Sequence, residues 1–80
     1  MKIEVYGTGC ANCKKLEENA RKAVRELKVK AEVVKVEDIK KIIDRGIMMT
    51  PALFIDDEEI TVGRVPDVAE IKKIISSRKV

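Results

Sequence analysis

Eighty residues, with 17 Lys and Arg against 14 Asp and Glu, make a single domain spanning 1–80 with a formal charge of +3 and no room for a second core. Charged residues are 39% of the chain with both signs interspersed, and the only aromatics are Tyr6 and Phe54, which excludes the basic stripe and stacking platform of a nucleic-acid binder. The opening Met1-Lys2-Ile3-Glu4-Val5-Tyr6 is too short an apolar stretch for a signal peptide or a membrane span, so a cytoplasmic setting without membrane contact is expected; nothing in the sequence suggests an obligate dimer, and a monomer is expected.

Lys2 to Tyr6 alternates and is rich in β-formers, and Gly7-Thr8-Gly9 breaks the pattern, predicting a strand followed by a loop. Cys13, Leu16, Ala20, Ala23, Val24 and Leu27 then step by three and four, one stripe of a helix from about Asn12 to Leu27. Glu17 with Arg21 and Glu18 with Lys22 are i,i+4 pairs on its solvated side. Ala31 to Val36 holds Val33, Val34 and Val36, a near-continuous apolar run that predicts a strand covered on both faces and parallel to the first through a right-handed βαβ crossover. Asp38 caps a short second helix carrying Ile39, Ile42 and Ile43, which Gly46 ends. Leu53-Phe54-Ile55 and Ile60-Thr61-Val62 read as an antiparallel hairpin around the acidic turn Asp56-Asp57-Glu58-Glu59. Pro66 and Asp67 open a last helix that buries Val68, Ile71, Ile74 and Ile75, with Asp67 and Glu70 spaced as a capping box. The order is β-α-β-α-β-β-α.

The only two cysteines, Cys10 and Cys13, lie where the first strand gives way to the first helix. Unpaired backbone N–H groups and the positive end of the dipole favour a thiolate there, so Cys10 is expected to be acidic and nucleophilic, with Cys13 one turn on and able to attack a mixed disulfide. A two-cysteine chain in a reducing compartment is redox-active or metal-binding rather than stapled. The absence of Gln, His and Trp beside abundant Lys and Glu points to a heat-adapted source.

A C-x-x-C at a strand-to-helix junction, inside a βαβ unit and followed by a proline just before a hairpin, resembles the thioredoxin and glutaredoxin superfamily. Gly7-Thr8-Gly9-Cys10-Ala11-Asn12-Cys13-Lys14-Lys15-Leu16-Glu17 is most similar to its minimal glutaredoxin-like members from archaea and bacteria. The resemblance implies an α/β thioredoxin-like fold, with a central four-stranded mixed sheet flanked by three helices. It also implies thiol-disulfide exchange with protein or small-molecule disulfides, in which Cys10 attacks, Cys13 resolves and a reversible Cys10–Cys13 disulfide replaces any cofactor. Thr50-Pro51 matches the cis-proline site that contacts substrate, and Glu4, six residues before Cys10, matches a buried proton-transfer acid. A thioredoxin-reductase-like donor of electrons is implied as partner. The chain departs from the family at Ala11-Asn12 between the cysteines, at Tyr6 in place of tryptophan, and at Arg64 where glutaredoxins have a second glycine.

Two other functions compete. Thr8-Gly9-Cys10 ahead of Cys13 also suits a Cu(I) or Hg(II) carrier, although such carriers have methionine at the place of Thr8 and end in a strand. A redox-gated protein-binding module, in which the disulfide changes affinity without catalysis, is the other.

Overall fold

The computed structural model describes residues 1–9 and 11–78. Seven elements follow in the expected order: β1 (Lys2–Tyr6), α1 (Ala11–Leu27), β2 (Glu32–Val36), α2 (Ile39–Asp44), β3 (Ala52–Ile55), β4 (Glu58–Val62) and α3 (Val68–Arg78). The strands form one mixed sheet in the order β2-β1-β3-β4. β1 runs parallel to β2, with Ile3 opposite Val33, and antiparallel to β3, with Tyr6 opposite Ala52.

Strand alternation sorts the core into two layers. Ile3 and Val5 of β1 and Leu53 and Ile55 of β3 face Leu16, Ala20 and Ala23 of α1 and Ile71 and Ile75 of α3. The small Ala20 and Ala23 let the two helices share that face of the sheet. Tyr6, Ala52 and Phe54 point the other way and meet Ile42 of α2 and Ile47. α2 is too short to bury more than one stripe: Ile42 is covered, whereas Ile39 and Ile43 remain 60% and 65% exposed.

Local chemistry sets the helix ends. Asp38 caps α2 by accepting from the Lys40 N–H at 2.9 Å, and Gly46 leaves it at φ 76°. Asp67 caps α3 by accepting from the Glu70 N–H at 2.8 Å. The reciprocal half of the expected capping box is missing, because the Glu70 carboxylate is bound by Arg64. Val68 and Ile74 form the rim of the α3 core face, with Ile71 and Ile75 inside.

Three expectations need correction. β2 is an edge strand: Val33, Val34 and Val36 are only half-buried, and Glu32 and Lys35 face solvent, since the remaining strands all add on the far side of β1. Charge on an edge blocks further pairing. The hairpin turn is Asp56-Asp57 alone, at φ 49° and 68°, the left-handed pair of a two-residue connection, and Glu58 and Glu59 belong to β4. Asp56 is tied to the start of β1 by two 2.8 Å bonds, donating its N–H to the Lys2 carbonyl and accepting the Lys2 N–H at its carboxylate. On α1, Glu17 pairs with Arg21 at 2.9 Å, but Glu18 and Lys22 form no ion pair among the described residues.

Candidate functional site

The β1–β2 pairing runs one residue past the strand, the Gly7 N–H donating to the Val36 carbonyl at 2.9 Å, before the chain turns through Gly9 at φ 87° into α1. Cys13, in the first turn of α1, is buried at 3% exposure. Its side chain lies directly on Gly7: a β-carbon there would come within 2.8 Å of Cys13 Cβ and closer still to Sγ. Read from sequence, Gly7 is only a strand breaker. Its second task, seating Cys13, arises because the strand end and the first helical turn cross at this point. Cys10, the expected nucleophile, lies outside the described residues.

The Thr50–Pro51 peptide is cis. Pro51 is buried and Thr50 half-buried, and the Pro51 carbonyl accepts from the Gly63 N–H at 2.9 Å, fastening the end of β4 to this loop. The register that sets Tyr6 opposite Ala52 brings Gly7 and Pro51, the residues just beyond that pair, to the same end of the sheet. Cys13 and the proline loop therefore flank one edge of the domain. Met49 rests on Gly63, within 3.2 Å of where a β-carbon would stand, and Met48 and Met49 are 91% and 61% exposed. They border the loop and do not fill the core. Lys14 and Lys15 are exposed.

Glu4 is buried at 6% exposure but on the other face of the sheet from α1, because β1 alternates and its neighbour Val5 takes the α1 side. Both carboxylate oxygens are engaged: Oε2 accepts from the Tyr6 hydroxyl at 2.9 Å and Oε1 from Arg45 Nη2 at 2.9 Å. Arg45, at the C-cap of α2, also donates Nε to the Tyr6 hydroxyl at 2.9 Å and Nη2 to Asp57 at 2.6 Å, and its guanidinium lies 4.8 Å from the Phe54 ring centre. These bonds, Tyr6 first and Asp57 next, hold the guanidinium charge further above its ordinary range against the opposing effect of burial. The position expected for proton transfer thus carries a clamp joining β1, α2 and the hairpin turn, with the sheet between it and Cys13. No local sequence pattern singles out Arg45, since its partners Tyr6 and Glu4 are 39 and 41 residues away.

A four-stranded mixed sheet with three helices, a cysteine in the first turn of the crossover helix and a cis-proline entering the hairpin define the thioredoxin-like class of folds. The family model described as "Thioredoxin domain" matches residues 1–76. The chain is 50% identical over 76 residues to a thioredoxin of Methanothermobacter thermautotrophicus, covering 95% of this chain and 99% of the relative, and 41% identical over 75 residues to a thioredoxin of Methanocaldococcus jannaschii, covering 94% and 86%. The chain belongs to the thioredoxin family, whose members are thiol-disulfide oxidoreductases. Both relatives come from thermophilic archaea. Among the described residues no helix is long and apolar enough to cross a membrane.

Proposed function

We propose that the chain is a small dithiol oxidoreductase that reduces disulfides through Cys10 and Cys13. The Cys10 thiolate attacks one sulfur of a substrate disulfide, forming a Cys10–substrate bond and expelling the other half as thiolate. Cys13, on losing its proton, then attacks Cys10 sulfur, forming the Cys10–Cys13 bond and releasing the second half. Two electrons pass from the dithiol to the substrate, and a thioredoxin-reductase-like donor restores the thiols. No cofactor enters the cycle. The main-chain atoms of Thr50, beside Pro51, hold an extended segment of the substrate, a protein or a small molecule. The setting is the cytoplasm and the working form a monomer.

The observation that carries this reading is the seating of Cys13 on Gly7, at the same sheet end as the cis Thr50–Pro51 peptide, in a chain of this family. Glu4 has no part in the proton transfer, being held by Tyr6 and Arg45 across the sheet. An insulin-reduction assay tests the mechanism: Cys10→Ser should abolish turnover, and Cys13→Ser should stall as a mixed disulfide visible by mass. Equal activity in wild type and both variants would refute it.

A further inference from the structure

Glu37 follows β2 and stands against the loop that leads into the dithiol. A β-carbon on Gly9, the residue before Cys10, would lie 2.9 Å from Glu37 Oε2; the φ of 87° is what favours glycine there, and the carboxylate, at the end of a flexible side chain, stands against the turn. The other oxygen, Oε1, is 3.4 Å from Lys35 Nζ, and that same ammonium is 3.8 Å from Glu17 Oε1. Lys35 therefore divides its charge between two carboxylates and aims Glu37 by one oxygen, leaving Oε2 on the loop. Glu37 remains exposed, with 53% of its side chain open to solvent.

We infer that Glu37 is a specificity-determining residue, setting a preference at the dithiol for disulfides with cationic or neutral flanking groups over those bearing carboxylates. The inference rests on the proposed function. A formal charge of +3 draws anions toward the molecule as a whole. A disulfide that reacts at Cys10 has to reach the residue bonded to Gly9, and the carboxylate of Glu37 stands 2.9 Å from the β-carbon position of Gly9. Short-range repulsion there opposes long-range attraction, and at the moment of sulfur–sulfur contact the nearer charge dominates because salt screens the distant ones. The covalent step is unaltered; only the rate at which differently charged disulfides reach the sulfur changes.

The test uses the fully reduced protein in single-turnover reactions with three probes: cystamine, a dication; 3,3′-dithiodipropionate, a dianion; and neutral bis(2-hydroxyethyl) disulfide. Each reaction is quenched by alkylation and read by mass. Glu37→Gln should slow cystamine by about threefold and speed dithiodipropionate by about threefold, an order of magnitude in their ratio, with the neutral probe changed less than about twofold. Lys35→Gln should move the ratio the opposite way, and both effects should shrink in ~1 M salt. A cystamine-to-dithiodipropionate ratio unmoved by Glu37→Gln, while the neutral probe still reacts, would overturn the inference and leave the proposed function standing. Wild-type protein inert toward all three probes would remove both.

Discussion

One added methyl group at Gly7 would collide with Cys13. Gly7→Ala should cost about 1–3 kcal/mol in urea denaturation through overpacking, and should slow dithiol exchange as well, because the displaced group is a sulfur of the proposed reaction. Loss of stability with exchange unchanged would show that Cys13 tolerates being moved. Arg45→Met would leave the buried Glu4 with Tyr6 and the exposed Lys2 ammonium at 3.9 Å, and should cost about 2–3 kcal/mol, less than a fully enclosed pair because the arginine side chain is 30% exposed. Glu4→Gln should be destabilising yet leave the pH profile of disulfide exchange where it is, a shifted profile being the outcome that would return Glu4 to the chemistry. The cysteine pair and the proline were legible as residues because short motifs carry them. The partners of Glu4 and Cys13 were not, since nothing local links Glu4 to Arg45 or Gly7 to a helix turn.

At the level of elements, the caps were readable because they are local: Asp38 and Asp67 hydrogen-bond backbone two and three residues on. Asp67→Ala should cost about 1 kcal/mol, measured as a shift in the denaturation midpoint at constant slope. Arg64 holds the Glu70 carboxyl below its ordinary range. A group whose pKa is lower folded than unfolded adds stability above the unfolded value and loses it as pH falls through the folded one. The stability gap between wild type and Glu70→Gln should therefore be widest near neutral pH and close in acid. A gap independent of pH would mean the pairing with Arg64 adds nothing. The hairpin turn and the exposure of β2 were misread for a common reason. Acidic residues look alike in a turn and in the exposed strand beside it, and a valine run looks alike in a central strand and at an edge.

For the whole molecule, the main core joins residues from both ends of the chain: Ile3 and Val5 from β1 lie against Ile71 and Ile75 from α3. Ile71→Ala should cost about 3 kcal/mol, a large share of the ~5–15 kcal/mol total of a small domain, and lower Tm by roughly 15 °C in calorimetry. A small loss would mean that α3 docks weakly and the sheet with α1 holds the fold. Element order, helix stripes, caps and the cysteine motif were determined by the sequence alone, because each is written within a few residues by periodicity, side-chain reach or backbone preference. Tertiary structure alone decided that β2 lies at the edge, that Glu4 faces Arg45 and not Cys13, that Gly7 makes room for a sulfur, and that Glu37 meets Gly9. Those contacts depend on strand order, on which face of the sheet a residue takes, and on where distant segments cross, and no local pattern encodes any of the three.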